Sequence, residues 1–420
     1  MTNAAILVAS SLLLGAYLLD IVGRRFKLPS VVLLIVSGMI ARQVLDRLGL
    51  HLGHVGAVVP IIGTLGLILI VFEGALDLEV SRERLAVIAR AVLSSIGGFV
   101  ACTMAFAALF HWTLGFTPYL AALAAVPFAV ISSAVAIPSA TGLPAQAREF
   151  VIYESSFADI VGVLVFTALL SSQGDPAAFA RDLFGGGAIS VVVALAASVA
   201  LYALVNKVDG HVRFLPLIAG LFCLYAIGKA LHLSPLVFVL VAGLVIANPH
   251  LLDRWAPLEA MRAANDYERT VAEFKSLVAE LTFATKSFFF LLLGYWTEVG
   301  LLAVPVAWAV AAACTGFVFA SRRALLAALR VEHAAALTWI APRGLITVLL
   351  FLAAAEAGGL EGFPFGALML TVLATSTLVA LAHHGQDDRR EALAASAIDS
   401  AHAPLASHAV PAPPDGRPAA

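Results

Sequence analysis

The sequence predicts an all-α polytopic membrane protein of about thirteen transmembrane helices, built as two inverted-topology repeats with broken helices 5 and 12 crossing near the midplane. Three observations predict it. Of 420 residues, 61% are hydrophobic and only 12% are charged, in apolar runs that follow one another almost to the end. A pattern in the first span returns in the eighth. Two later spans carry proline at matching places, amid apolar sequence.

A helix crossing the bilayer needs about 20 apolar residues. Candidate spans lie at about 4–22, 29–45, 56–80, 86–112, 118–142, 149–171, 186–206, 213–231, 234–250, 281–298, 301–320, 336–357 and 363–383. The start lacks the basic region and small-residue cleavage site of a secretory signal, so the first span is expected to be retained. With the N-terminus outside, Arg24, Arg25, Arg82, Arg148, Arg254, Arg322, Arg323, Arg330 and most other basic residues fall in inward loops. Only Arg42, Arg47, Arg181 and Lys229 fall outside. Positive residues mark the cytoplasmic side, so the C-terminus is expected inside, and a bacterial inner membrane suits the pattern. Cys102, Cys223 and Cys314 lie in apolar spans without disulfide or metal spacing.

Gly15–Ile40 (GAYLLDIVGRRFKLPSVVLLIVSGMI) resembles Gly220–Val245 (GLFCLYAIGKALHLSPLVFVLVAGLV) at an offset of 205, which pairs Gly23 with Gly228 and Gly38 with Gly243. The copies begin seven crossings apart, so the second enters from the opposite side. Inverted repeats of this kind mark secondary transporters, whose sites lie where broken helices meet. Pro127 and Pro138 in span 5, and Pro342 with Gly344 in span 12, predict those breaks. The transmembrane domain then covers 1–385, with repeats at about 4–171 and 213–383. An amphipathic linker helix is expected at about 251–280, and a disordered cytoplasmic tail at 386–420.

Ionisable side chains at bilayer depth are costly and mark ion or proton paths. Glu73, Glu154 and Asp159 are the acids within spans, Lys286 and Arg343 the bases, which leaves one negative charge over. Such a site must hold a proton or a metal cation. In YESSFADIVGVLVF, Ser155 and Asp159 share a helical face while Glu154 lies about 140° away. Carboxylate and hydroxyl oxygens at Asp159 and Ser155 suit a hard cation. An intramembrane hydrolase is disfavoured because all histidines fall in loops, at span ends or in the tail. A channel is disfavoured because no filter-like run occurs.

The run Glu154-Ser155-Ser156-Phe157-Ala158-Asp159, FEGALDL around Glu73, KSFFFLLLGY from Lys286 and APRGLITVLL around Arg343 together resemble the monovalent cation:proton antiporter superfamily, on its sodium/proton exchanger side. The resemblance covers about residues 4–383. It implies that a monovalent cation and protons compete for Asp159, with Ser155 nearby and Glu73 near the cation path. It also implies a structural ion pair between Glu154 and Arg343, a charge-compensating role for Lys286 toward Glu73 or Asp159, and a homodimer. Two departures stand out. Ser132-Ser133 replaces the usual Thr-Asp of the broken span 5, and Ala158 replaces the usual Asn or Asp before the key aspartate. If Arg343 holds Glu154 and Lys286 holds Glu73, Asp159 is the single exchangeable anion, and one-for-one electroneutral exchange follows. Na⁺ is the expected cation and K⁺ the alternative. No cofactor, enzyme activity or nucleic-acid partner is expected.

Overall fold

A computed structural model describes residues 2–25, 28–49, 55–78, 84–205, 214–231, 233–248 and 267–382, and no strand occurs among them. The helices are α1 (Thr2–Arg25), α2 (Ser30–Arg47), α3 (Val55–Leu76), α4 (Leu85–Leu114), α5 (Pro118–Ala129), α6 (Ser133–Ser139), α7 (Ala145–Ser172), α8 (Pro176–Ala180), α9 (Gly187–Val205), α10 (Phe214–Ala230) and α11 (Pro235–Ala247). They continue with α12 (Tyr267–Trp296), α13 (Val299–Leu302), α14 (Pro305–Ala328), α15 (Ala334–Thr338), α16 (Leu345–Glu356) and α17 (Phe365–Ala382). Among the described residues, eight helical segments are long and apolar enough to cross a membrane, and shorter apolar helices stand beside them. The protein is therefore an integral membrane protein with an all-α fold.

The helices pack as two groups. Helices α4, α5, α6, α7, α14, α15 and α16 contact one another, while α1, α2, α3, α9, α10, α11 and α12 form the second group. Helix α3 is the seam, touching α6, α7 and α16 of the first group. In the first group, Phe110, Phe128, Phe351 and Phe363 form an aromatic core with ring centroids 4.9–6.0 Å apart. Lipid offers no hydrophobic drive for helix association, so close packing must hold the second group together. Small residues supply it. A Cβ at Gly38 of α2 would strike the backbone of Leu291 in α12, and one at Gly294 would strike Ile35.

The stretches aligned at an offset of 205 share local geometry. The Leu28 amide donates to Gly23 O (2.8 Å), and the Leu233 amide donates to Gly228 O (2.9 Å). Gly243 of α11 fits closely against Phe72 and Ala75 of α3, as Gly38 of α2 does against α12. Both copies thus use glycine at the turn and at the following helix crossing.

Residues 267–280, expected as part of a separate linker helix, are continuous with span 10 in the single helix α12. Their apolar face is a packing face. Phe274 is buried, edge-on to Phe72 of α3 and stacked on Phe214 of α10. Lys275 reaches Asp77 at 3.6 Å. Residues 251–266 of the expected linker and the tail 386–420 lie outside the described residues.

Candidate functional site

The two broken helices are present, and each break falls beside its prolines. Helix α5 ends at Ala129, Val130 and Ser132 are extended, and α6 begins at Ser133. Pro127 and Pro138 sit within the helical segments on either side. In span 12, residues 339–344 separate α15 from α16, with Pro342 inside the gap. Unwound backbone at membrane depth needs internal partners. Here the two breaks partner each other: the Ser132 amide donates to Pro342 O at 2.9 Å. Helix α17 completes the set. Thr375 Oγ1 accepts from the Arg343 amide (3.0 Å), and Ser376 Oγ donates to Arg343 O (3.4 Å). Gly344 allows this crossing, since a Cβ there would lie 2.6 Å from Ser132 Oγ.

Asp159 of α7 lies at this crossing and is 2% exposed. The Ser133 hydroxyl donates to its Oδ2, while Oδ1 has no protein partner. The structure therefore joins Ser133 to Asp159 directly and uses Ser132 to build the crossing. The Ser155 hydroxyl donates to Val151 O at 2.8 Å, leaving only its lone pairs free for other work.

The expected pairing of Glu154 with Arg343 is not what the structure shows. Glu154 is held by Arg322 of α14, whose Nη1 donates to Oε1 at 2.8 Å and whose Nη2 donates to Oε2 at 2.7 Å. Ser94 of α4 adds a third bond to Oε1 at 2.6 Å, and Arg322 Nε donates to Leu337 O at 2.8 Å. Glu154 and Arg322 are 1% and 6% exposed. The sequence reading placed Arg322 in an inward loop because Arg322, Arg323 and Arg330 follow span 11 together. The helix instead continues to Ala328, and its buried stripe runs through Cys314, Thr315, Val318, Arg322 and Leu326. That spacing of three and four residues was the available signal, continuing the helix past its first charge.

Counting Arg322 also changes the charge balance. Glu73, Glu154 and Asp159 now face Arg322, Arg343 and Lys286, so formal charges match. Among the described residues, no carboxylate forms an ion pair with Arg343, which is 1% exposed. Its Nε donates to Phe128 O (2.7 Å) and Nη1 to Ala341 O (3.4 Å). Phe128 lies in the last turn of α5, whose carbonyls carry partial negative charge. The guanidinium therefore neutralises the carbonyl ends left by the two breaks, where an acid would otherwise be expected.

Glu73 of α3 is half-buried, and among the described residues it forms no direct ion pair with Lys286. Lys286 Nζ stands 5.7 Å from the centre of the Phe283 ring. It also lines a cavity of about 320 Å³ between the helix groups, together with Asp20, Ser30, Ala134, Ser139 and Thr141. The floor of the cavity is the first turn of α6, one residue from Ser133. Among the described residues, no cluster of three His, Cys, Asp or Glu side chains could hold a metal ion.

The structure is similar to two solved structures of the sodium proton antiporter MjNhaP1 from Methanocaldococcus jannaschii. The one determined at pH 8 has a TM-score of 0.68 at 19% identity, over 90% of this chain and 96% of that one. The electron-microscopy structure has a TM-score of 0.69 at 18% identity, over 98% and 100%. No curated protein sequence matches. Identities this low speak to the fold alone. The family model described as "Sodium/hydrogen exchanger, transmembrane" matches residues 8–385. With that match over nearly the whole chain, the protein belongs to the transmembrane sodium/hydrogen exchanger family and is a transporter, not an enzyme.

Proposed function

We propose that this chain exchanges a monovalent cation, Na⁺ foremost, for H⁺ by alternating access, with Asp159 as the one group that both cargoes occupy in turn. The observation that carries this reading is the state of Asp159. It is a buried carboxylate at the crossing, held through one oxygen by Ser133, with the other oxygen unpartnered and no cation in ion-pair contact. Arg322 is committed to Glu154 and Arg343 to backbone carbonyls. Burial without a partner disfavours a bare charge, so a proton or an alkali cation must accompany the carboxylate. Exchange of one for the other is electroneutral.

Ser155 lone pairs and Glu73 are the further cation contacts in this reading. Lys286 and Asp20 set the charge of the cavity that leads to Ser133. The shared glycine turns at Gly23 and Gly228 support an inverted repeat, and the seam at α3 divides the groups that would move. A homodimer in a bacterial inner membrane, with the C-terminus inside, completes the proposal. K⁺ is the second reading, favoured by the ligand-poor Ser133 and Ala158.

The test is flux in everted vesicles: dissipation of an acid-inside pH gradient by Na⁺, K⁺ or Li⁺, with Asp159→Asn as control. Dissipation by the parent and none by Asp159→Asn is expected. Equal flux in the two would refute the role of Asp159. A membrane current proportional to flux would refute electroneutrality.

A further inference from the structure

Many hydroxyls inside the described helices bond to a backbone carbonyl one turn back. Ser139, Ser155, Ser190, Thr338 and Thr371 all do so at 2.7–2.8 Å. This is the ordinary way to bury a serine or threonine in a helix. Ser156 does not follow it. Its side chain is 6% exposed, and its Oγ has no protein partner. The hydroxyl is turned instead toward the seam, where a Cβ on Gly74 of α3 would lie 3.2 Å from it.

The position of this hydroxyl relative to Asp159 follows from the packing of α6 and α7. Ser133 meets Asp159, and one turn further along α6 Ile137 shares Gly74 with Ser156. Ser156 is thus the neighbour of Asp159 at three residues' spacing on one helical face, on the flank that faces α3. Two buried oxygens without protein partners, Ser156 Oγ and Asp159 Oδ1, occupy successive turns of the same helix. A buried polar atom left unpaired costs free energy, and among the nine such atoms of the described residues these two sit together on one helical face at the crossing. Ser156 thus offers an oxygen in a chain that has Ala158 immediately before Asp159.

We propose that the Ser156 hydroxyl is a ligand of the transported cation, acting with the free oxygen of Asp159 and setting the preference among alkali ions. The inference rests on the reading of Asp159 given above. Oxygen donors suit alkali cations, and Gly74 leaves room for the cation's passage because it adds no side chain over the hydroxyl.

The experiment uses the full chain in proteoliposomes, with Na⁺, Li⁺ and K⁺ as probes. Ser156→Ala is expected to raise the apparent KM for the preferred ion about tenfold, the effect of one lost oxygen contact to a charged group. The maximal rate should stay within about twofold of the parent's, and the ratio of KM values among the three ions should change. Ser156→Thr, which keeps the hydroxyl, should recover most of the loss. Ser198→Ala removes another buried, unpartnered hydroxyl away from the crossing, and should match the parent. A Ser156→Ala protein with parental KM values for all three ions, or one that Ser156→Thr fails to recover, overturns the proposal. If Asp159→Asn abolishes exchange in the same preparation, that failure is confined to Ser156. If Asp159→Asn still exchanges ions, the reading beneath it fails as well.

Discussion

Replacing Arg322 with Met gives the sharpest test of the architecture. The substitution keeps an unbranched apolar stem and removes the charge. Two charge-assisted bonds to Glu154 disappear, at 2.8 and 2.7 Å, and the bond to Leu337 O goes with them. Charge-assisted bonds contribute about 1.5–3 kcal/mol each, but desolvation of the two buried charges offsets much of that gain. Breaking a buried pair from one side costs about 3–5 kcal/mol, because the abandoned carboxylate stays buried. Combining Arg322→Met with Glu154→Gln should therefore cost much less than the sum of the single changes, with a coupling near 2–3 kcal/mol. The assay is denaturant unfolding of detergent-solubilised protein, followed by fluorescence, for the parent, both single variants and the double. Arg343→Met with Glu154→Gln is the comparison cycle, expected to be nearly additive because no bond joins those residues. A coupling of Glu154 to Arg343 as large as that to Arg322 would refute the assignment.

Three further outcomes follow from the same geometry. Gly344→Ala pushes a methyl group against Ser132 Oγ, so flux in vesicles should fall at least tenfold, and adding Ser132→Gly should restore part of it. Lys286→Gln breaks no ion pair and should leave expression and unfolding intact. Removing a positive charge from the cavity should lower the apparent KM for cations a few-fold, more at low salt than at high. Asp20→Asn should shift the KM in the opposite direction, and matching directions in the two variants would discount the cavity as the entry route.

The membrane class, the helix succession and both breaks could be read from composition and periodicity, which depend on local sequence and the thickness of the bilayer. Asp159 stands out as a candidate for a similar reason, since a lone acid in an apolar span is conspicuous wherever its neighbours lie. Partner identity was not legible. Arg322 and Arg343 line one small cavity together with Ser94, a partner of Glu154, and the packing of α14 on α4 selects Arg322. The rule that basic residues flank spans drew attention away from it, because the same rule describes Arg323 one position later, which is exposed. The breaks were found through proline, yet the chain unwinds at Val130–Ser132, where backbone from span 12 supplies the missing acceptor. A long-range hydrogen bond decided that boundary, and no local pattern contains it.

Arg343 has a consequence for how the protein tolerates its own cycle. Its guanidinium donates to the carbonyls of Phe128 and Ala341, main-chain oxygens that neither titrate nor leave, with the Cys102 sulfur 4.0 Å from Nη2. In the proposed cycle the framework around the crossing therefore keeps the same internal electrostatics whichever passenger is aboard, and a change of occupant at Asp159 leaves the bonds of Arg343 to Phe128 and Ala341 in place. A turnstile built this way can admit two unlike visitors without being rebuilt for either.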